Sequence, residues 1–345
     1  MKKNKIWFVR VLLLTATVIS LYFVPWKILF TWLQPLPETI QEQVDSAIDY
    51  GFDGIIVCID KDDENLEFYT AGYHNRAQKI PAKPDALFKI ASVGKLYHAV
   101  AITKLVSDKK LSLDQSLAHY FPELADHIEN AEKITLRMLV QHRSGIPNFT
   151  DVPNFWVNPP KTKEETLELV LDQPANFLPG EDYEYSNTNY LLLGELIEKT
   201  TGEDKFQFIQ KEILKPLQLK NTYGSLAQID MDRLMSGYYV GIEEDIKTDD
   251  NGFMIATAED VAKFIRALNE GTVFENDEAE IYANLYKYNH TGLIPGYQTI
   301  AEYHKDLDAV VIQFTNTTNF NGYEWNLSEI NYSRIIKILE RAQNP

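Results

Sequence analysis

The chain has 345 residues, 45% of them hydrophobic, with 19 Tyr and 17 Phe, which is ample for a packed core and exceeds one average domain. Residues 1–35 carry Lys2, Lys3, Lys5, Arg10 and Lys27 and no acid, so the rest of the chain holds 28 basic against 50 acidic residues; that surface disfavours nucleic acid and anionic lipid as partners. Cys58 is the single cysteine, which excludes an intrachain disulfide and a cysteine-based zinc site; in the apolar run 55–59 it reads as a buried thiol.

Residues 11–24 form an uncharged run behind the basic head. With apolar residues 6–9 before it and 28–33 after it, the stretch is long enough to cross a bilayer with Trp and Tyr near the rims. A cleaved signal peptide is the rival reading, but no small-x-small cleavage site follows and no cysteine is there to take a lipid. The expectation is a single-pass signal anchor over residues 1–35, with the body, residues 36–345, outside the cytoplasmic membrane. Pro35 and Pro37 end the anchor. Ile40, Val44, Ala47 and Ile48 recur at helical spacing over 38–50, and Gly51 stops that helix. Gly54–Asp60 and residues 66–71 read as a hairpin around the acidic turn 61–65. That turn lacks the glycine and terminal glutamate of a calcium loop and reads as solvated.

Ser92 and Lys95 follow, three residues apart at the start of an apolar helical pattern that includes Val93, Leu96 and Val100. On a helix beginning at or just before Ser92 the two side chains share one face. The lysine can then take the serine proton if burial or a neighbouring cation lowers its pKa, and the helix N-terminus and the serine N–H can help bind an oxyanion. By itself the pair also reads as a helix cap, and it recurs at Ser107 and Lys110.

Residues 111–114 make a turn, 134–140 begin a helix that 142–147 end, and Thr162 with Glu165 forms a capping box for a helix to Leu171. A turn at Pro179 and Gly180 precedes Tyr185 and Asn187, and a helix over 191–200 is capped by Gly202. Thr257 with Asp260 is a looser box opening a helix to Leu268. Residues 285–290, Tyr297–His304 and Ala309–Thr315 read as three strands, and Ile335, Ile338, Leu339 and Ala342 as a closing helix.

Tyr185, held partly as phenolate by a nearby lysine, could serve as base toward serine and acid toward a leaving group; Asn187 could hold both the lysine and a substrate amide. Tyr-x-Asn also occurs at Tyr73 and Tyr282, so a packed tyrosine is the plain alternative. His290, Thr291 and Gly292 end the first strand of the trio. Gly292 lets substrate backbone approach, Thr291 can bind a carboxylate, and the Leu293 N–H can complete an oxyanion hole with that of Ser92. A histidine bonded to backbone at a strand end is the alternative for His290.

The order of these three elements resembles the S-x-x-K, Y-x-N and K/H-T-G boxes of the serine β-lactamase and penicillin-binding family. The resemblance is closest to class C β-lactamases and their peptidase and esterase relatives. Segments 111–114, 134–147, 192–194, 215–217 and 257–260 are similar too, and the likeness covers about residues 40–340. It implies an α+β fold: a mainly antiparallel sheet flanked by the N- and C-terminal helices, with an all-helical insertion and the site between lobes. The α/β lobe would be about 36–90 and 250–345, the helical lobe about 91–249. It implies Ser92 as nucleophile, Lys95 and Tyr185 as proton carriers, the Ser92 and Leu293 amides as oxyanion donors, and Asn187, His290, Thr291 and Gly292 as substrate-positioning groups. No cofactor and no metal is implied.

His290 stands where β-lactamases and carboxypeptidases usually carry lysine, and relatives with histidine there include esterases, aminopeptidases and amidases. A mostly neutral histidine holds a substrate carboxylate less well, so the expectation is a preference for esters, amides or peptides without one, relaxing as pH falls toward 6. The function expected is a membrane-anchored serine hydrolase acting on a small-molecule or peptide substrate. A D,D-peptidase or β-lactamase, and a sensor domain that acylates with little turnover, share the same boxes. The sequence sets no oligomeric state. It contains no His-Glu-x-x-His, P-loop or dinucleotide fingerprint, and Ile90 stands where a nucleophile elbow needs glycine.

Overall fold

The computed structural model describes residues 2–61, 66–250 and 252–343, with side chains from Lys5 onward; most of the acidic turn of the first hairpin lies outside the described residues. The core sheet has six strands: β1 (Gly54–Asp60), β2 (Leu66–Asn75), β3 (Ile80–Pro81), β4 (His290–Ile294), β5 (Tyr297–His304) and β6 (Ala309–Thr315). Their spatial order is β3-β2-β1-β6-β5-β4, and every neighbouring pair is antiparallel. The pairing of β1 with β6, Ile55 opposite Thr315, joins segments from the two ends of the chain.

Side-chain alternation on β1 sorts two cores. Ile55, Val57 and Ile59 pack with α3 (Ile40–Asp49) and α7 (Glu324–Gln343), while Ile56 and Cys58 face the opposite layer. The terminal helices therefore flank one face of the sheet. Burial pushes the Cys58 thiol pKa upward. Thr39 and Glu42 cap α3 reciprocally, and Gly51, at φ 98, follows it.

On the other face α6 (Ala258–Glu270) packs against β1, β5 and β6, and α4 (Gly94–Ser107) and α5 (Asn187–Thr201), packed on each other, share the same hydrophobic core. Nearly every residue of α4 is buried, so it is the central post of this layer. Both expected capping boxes are half-formed. Thr162 accepts from the Glu165 N–H, but the Glu165 carboxylate turns to the Lys161 N–H, and that helix stops at Glu168. Thr257 accepts from the Asp260 N–H, while the Asp260 carboxylate takes the Asn221 N–H and the Thr222 hydroxyl. Short strands also occur at Thr222–Tyr223 and Tyr238–Tyr239, pairing with Ile255–Ala256 and Thr317–Thr318.

Residues 285–290 are not a strand, contrary to the alternating pattern. Their backbone turns over the helix Glu278–Ala283, with the Tyr282 hydroxyl on the Lys287 carbonyl, and Tyr286 and Tyr288 alternate because they pack on different rings. The strand begins at His290 instead of ending there.

At the N-terminus, α1 (Lys2–Tyr22) is long and apolar enough to cross a membrane, and none of its apolar window is buried. Residues 28–33 do not continue it. The chain breaks at Pro25, and α2 (Trp26–Leu33) docks on the body, with Ile28 in the terminal-helix core and Thr31 buried. Arg334 of α7 then donates to the carbonyls of Gln34 (2.9 Å) and Pro35 (2.6 Å) and to Gln43 Oε1 (2.7 Å).

Candidate active site

The short strand Phe88–Lys89 pairs with Ile255–Ala256, and the Ile90 N–H extends the pairing to the Met254 carbonyl. Ala91 then takes φ 49, a left-handed conformation that costs a non-glycine residue about 1–2 kcal/mol. This kink opens the 3₁₀ turn Ala91–Val93, so Ser92 stands on the turn that feeds α4, not inside the helix. One turn further on, Lys95 is buried and donates to Ser92 Oγ (3.1 Å) and Asn187 Oδ1 (2.8 Å). The Tyr185 hydroxyl donates to Ser92 Oγ (2.7 Å). Four residues from distant segments thus meet at one hydroxyl and one amine.

Burial, with the Lys287 charge second, lowers the Lys95 pKa to about 7. The rings of Tyr185 and Tyr190 lie 4.9 and 5.4 Å from its nitrogen. Burial pushes the Tyr185 phenol the other way, well above its ordinary value. The expected phenolate is therefore corrected: Tyr185 is a neutral donor, and Lys95 is the group poised to lose its proton near neutral pH. Asn187, first residue of α5, is locked by Asn148, which accepts from both its backbone and side-chain nitrogens, and by Thr150.

The opposite wall is β4, an edge strand packed against the Ser92 turn. A Cβ on Gly292 would lie 2.7 Å from the Ile90 carbonyl oxygen and 3.1 Å from Ser92 N, so only glycine permits this approach. Thr291 and Leu293 line the cleft. His290 sits there too, but its ring is occupied. Nδ1–H donates to the Thr291 carbonyl and Nε2 accepts from the Tyr286 hydroxyl (3.1 Å). Burial first, then Lys287 and Lys95, hold its pKa well below the usual value. That direction opposes the expected gain of charge toward pH 6.

The cleft encloses about 530 Å³ between Ser92, Tyr185 and Asn187 on one side and Lys287, Thr291 and Leu293 on the other, with Trp156, Phe253 and Phe320 among the apolar lining. A larger groove of about 670 Å³ runs between α2 and α7 and holds none of these groups. Among the described residues no cluster of three or more His, Cys, Asp or Glu could hold a metal ion.

The β-lactamase family profile matches residues 36–287. The chain belongs to the β-lactamase family. Over 188 residues it is 29% identical to Protein flp of Staphylococcus aureus (strain MW2), covering 53% of this chain and 38% of that one. Over 202 residues it is 28% identical to N-acetylmuramyl-L-alanine amidase of Bacillus subtilis (strain 168), covering 53% and 45%. The chain thus spans less than half the length of these curated relatives. D-amino acid amidase from Ochrobactrum anthropi SV3, solved with L-phenylalanine, aligns at a TM-score of 0.77 with 22% identity, over 88% of this chain and 99% of that one. At that identity the likeness establishes the fold.

Beyond the family boxes, the structure adds residues that sequence reasoning left without a role. His142, at φ 57, stacks on the Tyr185 ring (centroids 4.4 Å apart) and accepts the Ser186 N–H at Nδ1. Burial lowers its pKa to about 3, so it is a neutral platform for the tyrosine. Asn148 and Thr150 hold Asn187. Lys287 is exposed in the cleft, and its ammonium has no ion pair among the described residues. His142 and Lys287 lay in segments whose patterns had stood out; Asn148 and Thr150 carry no local signal.

Proposed function

We propose that this family member is a serine hydrolase acting through an acyl-enzyme on Ser92. The observation that carries the reading is the convergence of Lys95 and Tyr185 on Ser92 Oγ, with the lysine pKa lowered to about 7. Neutral Lys95 takes the Ser92 proton as Oγ bonds to the substrate carbonyl carbon, and the carbonyl electrons move onto oxygen beside the Ser92 and Leu293 amides. When the intermediate collapses, the leaving group departs with a proton from Tyr185, which recovers one from the Lys95 ammonium. Water then cleaves the acyl ester, leaving Ser92 protonated again.

The named activities of the two amidases support an amide as the scissile bond. On the binding wall, Lys287 is the cation open to a substrate anion, since both His290 ring nitrogens have partners and burial disfavours its charge. The apolar α1 supports anchorage in a membrane with the body outside the cytoplasm; a mature N-terminus found near residue 30–40 in the membrane fraction would overturn that part. A fluorophosphonate should label Ser92 stoichiometrically, read by intact mass and peptide mapping. Labelling of Ser107 or Ser186, or labelling that survives Ser92→Ala, would sink the assignment.

A further inference from the structure

Helix α2 presents two apolar faces, and the body covers one of them. Ile28 and Thr31 turn inward. Trp26, Phe30 and Leu33 recur at i, i+4 and i+7 on the outer side, all exposed, with Trp26 stacked on Phe30 at 5.6 Å. This outer face is continuous with α1. The Trp26 backbone N–H donates to the Val24 carbonyl (2.8 Å) and its indole N–H to the Leu21 carbonyl (3.0 Å), so the start of α2 is bolted to the end of the apolar helix. Whatever medium receives α1 also lies against this face.

We propose that α2 is an interfacial helix: its Trp26–Phe30–Leu33 face is immersed in the headgroup and upper acyl layer of a phospholipid bilayer, while its inner face holds the catalytic body. The inference rests on α1 being a membrane anchor. Indole and phenyl rings favour that layer, which is apolar below and wet above. Charge is not the attraction. Lys27 is the one charged side chain on α2, and the body behind it carries 28 basic against 50 acidic residues, so anionic headgroups repel it. The contact is therefore with the apolar part of the bilayer and is insensitive to salt and to anionic lipid.

The test uses the full-length chain in phosphatidylcholine liposomes, with single spin labels at Phe30→Cys and Leu33→Cys. References are Val18→Cys in α1 and Lys109→Cys on the body; Cys58 is fully buried and does not compete for label. Relaxation by dissolved oxygen is compared with relaxation by a water-soluble nickel chelate. The expected result is that positions 30 and 33 follow Val18→Cys, with oxygen relaxation and loss of nickel relaxation, unchanged at high salt or on adding phosphatidylglycerol. Nickel accessibility at 30 and 33 with lipid exposure at 18 overturns the proposal and leaves the anchor intact. Nickel accessibility at 18 overturns the anchor reading and the proposal with it. Protection at 30 accompanied by broadening between labels on different chains shows a second copy covering this face and overturns the lipid assignment.

Discussion

The two walls of the cleft are built on opposite principles. On the Ser92 wall each polar group is satisfied by another member of the same set: Lys95 by Ser92 and Asn187, Asn187 by Asn148 and Thr150, Tyr185 by Ser92. On the β4 wall the motif histidine spends both ring nitrogens on its own surroundings, and the open charge, Lys287, stands three residues upstream. A reactive centre needs its groups in mutual contact, so its residues travel together as a motif. A binding wall needs only a charge or a surface at some point along the cleft, and a neighbouring residue can supply it.

Substitutions on the reactive wall should show the largest effects. Ser92→Ala should lower kcat/KM by about 10⁴-fold or more, with Lys95→Ala nearly as severe because the two act as one unit. Parallel circular dichroism melts check that the fold survives, and additive losses in the double variant would break the idea of an interlocked wall. Gly292→Ala comes next. Its methyl would press on the Ile90 carbonyl and move β4 away from Ser92; a displacement of that order costs about 100-fold in rate. Full activity in this variant would show that the close approach of the two walls is dispensable.

The pH profile separates the walls without mutation. On the proposed mechanism Lys95 acts deprotonated, and with its pKa lowered to about 7 the active fraction rises as pH rises. Activity should climb about tenfold from pH 6 to 8 along a single-proton limb. His142, its pKa lowered to about 3, lies below that window and adds no second limb, and burial holds the His290 pKa down as well. A steeper limb, or improvement on carboxylate substrates toward pH 6, would return His290 to the role of selector. The smallest effect belongs to Lys287→Gln. Without the Lys287 charge the Lys95 pKa rises, which lowers kcat/KM near pH 7 on every substrate. An exposed pair is worth at most about 1 kcal/mol, so the loss on carboxylate-bearing amides should exceed that on matched neutral ones roughly fivefold. An equal loss on both would deny Lys287 the role of carboxylate partner.

Strands β1, β5 and β6 were legible because burial on both faces writes itself into apolar, β-branched runs such as residues 310–312. The order of Ser92, Tyr185 and His290 was legible because short motifs keep their spacing. The ionisation of those residues was not. Burial, with the His142 ring stacked on it, pushes the Tyr185 phenol up, and burial with the Lys287 and Lys95 charges holds the His290 pKa down. Neither enclosure leaves a trace at the residue it affects. The left-handed Ala91 was equally silent, since an alanine gives no sign that its neighbours force its backbone. Residues 285–290 misled for a related reason: alternation of aromatic and polar side chains is common to a strand and to a loop whose rings pack on two sides.

Arg334 bears on how the body can be separated from α1. Its guanidinium is buried and rests on the Gln34 and Pro35 carbonyls, which follow α2 and lie outside the sheet. A soluble form cut at residue 36 deletes both acceptors and leaves a buried cation with Gln43. Each lost bond to a charged group is worth about 1.5–3 kcal/mol. A form beginning at Val24 keeps α2 and both acceptors, at the cost of a bare aromatic face. Two soluble versions with identical active sites would therefore melt at different temperatures, the shorter one lower and the longer one more prone to self-associate.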